Sequence, residues 1–219
     1  MRVFVSGTGT GVGKTYVSRA LALAHRARGE SVSAIKPIET GCDPDPLDAV
    51  ALAVACGQPE LAHAPGFYRV RPALGPLSAT RSGETPLDVE GLLSAITPYL
   101  SASNLIVEGA GGLLVPLTDE ATILELVVAL RLPLLLVAED GLGVQSYVLS
   151  AVRCALARDV KLAAVVLRQP AEPDPSTATN VDVLAGLINA PVIGFSHVES
   201  DRELEAQGRL ILSRMLRFP

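Results

Sequence analysis

The chain has 219 residues, 49% of them hydrophobic and 19% charged, with a formal net charge of −5. This balance excludes a disordered chain. The acidity argues against sequence-independent nucleic-acid binding, which needs clustered Lys and Arg, but leaves room for a phosphate site built from backbone N–H groups.

Residues 2–6 read as a strand, followed by a glycine-rich turn and a helix over about 14–28. Residues 31–36 read as the next strand and 47–55 as a helix. The least regular stretch is 59–86, with prolines at 59, 65, 72, 76 and 86. A loop that long serves either as a lid or specificity loop or as a plain surface connection. Short β-rich runs at 105–107, 134–138, 163–167 and 192–194 are apolar throughout, the pattern of strands buried between helix layers. Helical patterns fall at 87–100, 122–130, 144–158, 177–188 and 201–216. Such alternation predicts an α/β fold, mostly parallel, with helices on both faces of the sheet. Ligands in such sheets sit beyond the carboxyl ends of the strands. With no internal repeat or linker, 1–219 reads as a single domain.

Only Val3, Phe4 and Val5 precede the first glycines, too short for a signal peptide, and the run at 132–138 falls well short of the ~20 residues of a membrane span. Cys42, Cys56 and Cys154 are scattered, as are His25, His63 and His197, so neither a disulfide framework nor a zinc site is expected. The expectation is a cytoplasmic protein with reduced thiols and no membrane partner.

Three motifs carry chemistry. The first is Gly7-Thr8-Gly9-Thr10-Gly11-Val12-Gly13-Lys14-Thr15, between a strand and a helix. Its glycines let N–H groups converge on an anion, Lys14 reaches the β- and γ-phosphates, and Thr15 offers a hydroxyl to Mg²⁺. Position 8 is Thr where the usual phosphate loop has Gly, so this loop is a lengthened form of a P-loop NTPase-like fold. The second motif is Lys36-Pro37-Ile38-Glu39-Thr40-Gly41, and the third is Glu108-Gly109-Ala110-Gly111-Gly112. A strand-end Lys is usually just solvated and a strand-end Glu before glycines is often only a turn. All three at one sheet edge form a nucleotide site with an acid placed for the metal.

In that order the motifs resemble dethiobiotin synthetase, whose pattern is G-T-x-T-x-V-G-K-T, K-P-[VI]-x-[ST]-G and V-E-G-A-G-G. Leu142-Gly143 extends the resemblance over most of the chain. It implies a homodimer with a seven-stranded-type parallel core and active sites at the interface. It also implies ATP- and Mg²⁺-dependent carboxylation and ring closure of 7,8-diaminopelargonate with CO₂ or bicarbonate, by way of a carbamate and a carbamic–phosphoric anhydride. Residue by residue, Lys36 and Lys14 match catalytic positions and Thr15, Asp48 and Glu108 match the metal set. Gly9, Thr10, Gly11, Val12, Gly13, Lys14, Thr15, Tyr16, Asp48, Glu108, Gly109, Ala110 and Gly111 match nucleotide positions, and Arg168, Gln169 and His197 fall where the base is bound. Thr10, Lys36, Thr40, Gly111 and Gly112 match the diamine side. Taken alone, Asp48 reads as an ordinary first-turn acid.

The chain departs from the family pattern in places. Gly11 replaces an acid found in some members, and residues 71–77 lack the family's Ser-Pro-His. Gln145-Ser146 stands for Asn-His, Arg168-Gln169 for the Asn-Asp that pairs with adenine, and Ser196-His197 for a Pro-containing loop. Two other classes share the fold. One is a nucleotide switch of the septum-site or plasmid-partition type, whose loop carries a lysine where Gly9 stands and whose membrane-binding members end in a basic helix like 209–218. The other is a cobyrinate-type amidotransferase synthetase, whose glutaminase domain finds no room in 219 residues.

Overall fold

The computed structural model describes residues 1–218. Its strands are β1 Arg2–Gly7, β2 Ser33–Ile35, β3 Ile38–Thr40, β4 Tyr68–Val70, β5 Leu105–Gly112, β6 Leu134–Glu139, β7 Leu162–Arg168 and β8 Val192–Phe195. Its helices are α1 Lys14–Ala27, α2 Leu47–Cys56, α3 Pro76–Arg81, α4 Val89–Ile96, α5 Ile123–Leu130, α6 Val144–Leu156, α7 Thr177–Ala185 and α8 Asp201–Arg217. Six strands form one sheet in the order β2-β5-β1-β6-β7-β8, with every neighbouring pair parallel. Val3, Phe4, Val5, Ile106, Val107, Leu135, Leu136 and Val166 are all buried, so the central strands are apolar on both faces, as strands covered twice must be.

From β1 the chain crosses to β2 in one direction, and from β5 to β6 it crosses in the other. Right-handed crossovers therefore place α1 and α5 on opposite faces. The reversal occurs around β1, so the glycine-rich loop that follows β1 opens at the switch point of the sheet.

The sheet has six strands rather than the expected seven. Pro37 is the reason: it has no N–H to donate, the main ladder stops at Ile35, and β3 turns away to pair with β4 in a separate two-stranded sheet. The irregular 59–86 stretch is thus partly ordered, holding a 3₁₀ turn at Pro59–His63, β4 and α3. The helix expected over 87–100 stops at Ile96 and tightens into a 3₁₀ turn, Thr97–Ser101, because Pro98 cannot donate to the preceding turn. The third motif also differs from expectation: Glu108 is not at a strand end. β5 runs on through the glycines to Gly112, and its register against β1 slips between Val5 and Gly7.

The C-terminal α8 is a core helix. Leu204, Ile211 and Leu212 are buried, and Gly208 lies so close to α1 that a Cβ there would come within 2.0 Å of the Ala20 carbonyl oxygen. The face carrying these residues is covered by the core, while Leu210 and Leu216 stay exposed. No helix among the described residues is long and apolar enough to cross a membrane.

Candidate active site

The glycine-rich loop delivers a bare helix terminus. Gly13, the residue before α1, is left-handed (φ 96°, ψ 23°), and a Cβ on it would strike the Arg168 side chain at 2.3 Å, so both backbone and space require glycine. No side chain caps α1 and no acid stands in its first turn. Its leading N–H groups are left for a ligand, and the helix dipole favours an anion. Lys14 is buried with its Nζ donating to the Gly9 carbonyl at 2.9 Å. Burial, and then the nearby Lys36 charge, lower its pKa from the usual 10.5 to about 8.

A second lysine lines the same cavity. Lys36 follows β2, is 4% exposed, and donates from Nζ to Asp48 Oδ2 at 2.6 Å and to Glu108 Oε1 at 2.7 Å. Burial alone would lower its pKa, but the Glu108 and Asp48 carboxylates outweigh that and raise it. Lys36 is therefore held as a cation between the two carboxylates. Asp48 responds in the opposite sense: burial pushes its carboxyl up, and the Lys36 charge and hydrogen bond bring it below the usual range. Thr15 Oγ1 donates to the same Glu108 oxygen at 2.6 Å. The other, Glu108 Oε2, is buried with no hydrogen-bond partner among the described residues. Three oxygen-bearing side chains and one unsatisfied carboxylate oxygen suit a hard divalent cation. Among the described residues no three His, Cys, Asp or Glu side chains form a metal cage by themselves. A cation here would complete its shell with water and phosphate oxygens, as Mg²⁺ does.

Lys14, Thr15, Lys36 and Asp48 line a cavity of ≈ 530 Å³ together with Thr10, Gly11, Gly13, Tyr16, Thr40, Ala110 and Gly111, while Glu108 is wholly buried and stays outside the lining. Sequence reasoning assigned no role to Glu39, Leu74, Pro76 or Val115, which also line it. Glu39 stood inside a quoted motif. The wall at 73–76 was hidden in the irregular stretch.

The whole span 1–207 matches the family model described as AAA domain. The ATP-dependent dethiobiotin synthetase BioD of Caulobacter vibrioides is 40% identical over 194 residues, covering 86% of both chains. That of an Anaeromyxobacter species is 36% identical over 217 residues, covering 97% of this chain and 96% of the relative. The chain belongs to the dethiobiotin synthetase family. Among solved structures, an ADP-bound nucleotide-binding protein from Archaeoglobus fulgidus shares the fold at a TM-score of 0.51 and 15% identity, covering 100% of this chain and 91% of the other.

Of the positions matched to the family pattern, Arg168, Gln169 and His197 lie outside the lining of this cavity. Arg168, at the end of β7, lies along the phosphate loop. Its Nε donates to the Val12 carbonyl at 3.3 Å, its Nη1 to the Gln169 carbonyl at 3.3 Å, and its Nη2 pairs with Glu139. The Gln169 N–H continues the sheet to the Phe195 carbonyl at 2.9 Å, and His197 is exposed. Tyr16 lines the cavity, but its hydroxyl is engaged with the backbone of Val198 and its ring meets Phe195 edge-on at 5.5 Å. Gly9, Val12, Gly109 and Gly112 stay outside the lining. Gly109 backs onto the Phe4 ring and Gly112 onto the Thr8 carbonyl, so both serve close packing between β5 and β1.

Proposed function

We propose that this chain closes the ureido ring of dethiobiotin from 7,8-diaminopelargonate and CO₂ at the expense of ATP, as a step of biotin synthesis. The observation that supports this most is the Lys36 ammonium, held between Asp48 and Glu108, whose Oε1 it shares with Thr15 of the helix-terminus anion site. One substrate amine adds to CO₂, itself free or drawn from bicarbonate, and loses a proton to give a carbamate. A carbamate oxygen attacks the γ-phosphorus as the bond to ADP breaks, leaving a carbamic–phosphoric anhydride. The second amine attacks the carbamoyl carbon, loses its proton and expels phosphate.

The second of these steps brings two anions together, the carbamate and the triphosphate. Lys14 and Lys36 supply the opposing charge in a site that partly excludes water, where fixed cations act most strongly. Thr15, Asp48 and Glu108 are the residues that would hold Mg²⁺, which when bound screens the phosphate oxygens and polarises the γ-phosphorus. Thr10, Thr40 and Gly111 line the same cavity on the diamine side and hold the carbamate in line, a matter of proximity. Incubation with diaminopelargonate, bicarbonate, Mg²⁺ and ATP should yield the cyclic urea, detected by mass. A folded protein that makes none removes the reading.

The same proposal includes a homodimer. Leu142, Tyr147 and Leu114 are 88%, 65% and 55% exposed beside the phosphate loop, an apolar face of the kind that copies of a chain cover. Sedimentation should give a dimer at micromolar concentration; a monomer throughout would count against it.

Base selectivity should be weak. The family's adenine-reading Asn is replaced by Arg168, whose donors are taken by Glu139 and by loop carbonyls. A site rejects a wrong partner strongly only when that partner leaves buried polar groups unpaired. CTP or GTP should therefore support ring closure within about tenfold of ATP, or ~1.4 kcal/mol. The measurement is kcat/KM for four triphosphates at saturating diamine. An ATP preference beyond about a thousandfold would show that another group reads adenine.

A further inference from the structure

Glu39 lies on β3 between Lys36 and Thr40, and only 7% of it is exposed. Its Oε1 accepts the Asp48 N–H at 2.8 Å and its Oε2 accepts the Ala49 N–H at 2.9 Å. The need for this arises in α2 itself. That helix starts after Pro46, whose side chain has no atom to accept a hydrogen bond, and no local side chain caps it. The first-turn N–H groups would otherwise be orphaned. A carboxylate arriving from another element satisfies two of them and sits at the positive end of the helix dipole.

The backbone group held this way belongs to Asp48, whose carboxylate meets Lys36. The same small ladder also fixes Lys36. Glu39 is paired in register with Arg69 on β4, and Arg69 Nη2 donates to the Lys36 carbonyl at 2.7 Å. One short sheet thus anchors both partners of the ion pair through their backbones.

We propose that Glu39 is a positioning residue that sets the first turn of α2, keeping the Asp48 carboxylate at Lys36 and at the site of a nucleotide-bound divalent cation. This rests on the metal role given to Asp48 above. Glu39 also lines the cavity, so the competing role is direct contact with a substrate ammonium.

The test compares Glu39→Ala and Glu39→Gln with the unmodified chain, each checked for folding by circular dichroism. Free Mn²⁺ is followed by electron paramagnetic resonance in the presence of a non-hydrolysable ATP analogue, and ring closure is titrated with Mg²⁺. Supporting partners of metal ligands typically matter by 10–100-fold in affinity. Glu39→Ala should weaken Mn²⁺ binding by about tenfold, and Glu39→Gln, which keeps one acceptor, by less. The metal constant should move more than kcat at saturating metal, and the diamine KM should stay put. Unchanged Mn²⁺ binding in a folded variant overturns the proposal, as does a raised diamine KM with unchanged metal dependence. If Glu39→Ala does not fold, the Gln variant decides by the same two readings. The Mn²⁺ measurement needs no ring closure, so it judges Glu39 even if the proposed reaction fails.

Discussion

Lys36→Ala should lower the rate of ring closure by about a thousandfold while nucleotide still binds. Removing one fixed group that stabilises developing charge typically costs 10²–10³ in kcat, and Lys36 is a full charge in a buried position. Its raised pKa sits above the unfolded value, so its stabilising contribution is fully present below the ordinary lysine range and is lost only as the pH climbs through the raised value. The loop, Lys14 and the free terminus of α1 are unaltered by the substitution and should keep their hold on the triphosphate. The variant also strips the counter-charge from two carboxylates. Breaking a buried pair costs about 3–5 kcal/mol, and the figure here falls toward the low end because the Asp48 side chain is 46% exposed. Mg²⁺ with an ATP analogue should restore much of the lost melting temperature, since a divalent cation replaces the missing charge, but should not restore turnover. A folded Lys36→Ala protein with near-normal turnover would reduce Lys36 to a structural counter-ion.

The fold was legible because its central strands are short apolar runs and its helices alternate with them. The outcome turned on residues whose effect is not periodic. Pro37 cut the second strand and sent β3 into its own ladder. The glycines after Glu108, expected beyond the end of the strand, let β5 continue through a register slip and leave Glu108 buried inside the strand. The phosphate loop, Lys36 and Glu108 could be found because glycine, lysine and acid at strand ends have a local signature. Asp48 had none, being an unremarkable first-turn acid until Lys36 is seen against it. Glu39 was quoted without a role because capping across two elements leaves no mark in sequence spacing. The side chain of Arg168 shows the same limit. Its position was expected at the base site, while its course along the phosphate loop depends on Glu139, 29 residues away.

Glu108→Gln should be the more damaging of the two metal-side substitutions. Its side chain is wholly buried, and one oxygen already takes both the Lys36 ammonium and the Thr15 hydroxyl. Gln can keep that acceptor only by placing its NH₂ where the unpartnered Oε2 now lies. The result is a buried donor with nothing to donate to, and no negative charge where Lys36 and a hard cation both need one. Asp48→Asn loses the same formal charge from a side chain that is 46% exposed, where water screens the loss. At subsaturating Mg²⁺ we expect kcat/KM to fall by about 10²–10³ for Glu108→Gln and by about tenfold for Asp48→Asn. High Mg²⁺ should recover most of the second and little of the first, because added metal can compensate for weaker affinity but not for the misplaced donor beside Lys36. Titrating Mg²⁺ against both variants checks this. The reverse order would make Asp48 the principal metal carboxylate. A Glu108→Gln protein that is slow at every Mg²⁺ concentration, with an unaltered metal constant, would leave Glu108 acting through Lys36 alone.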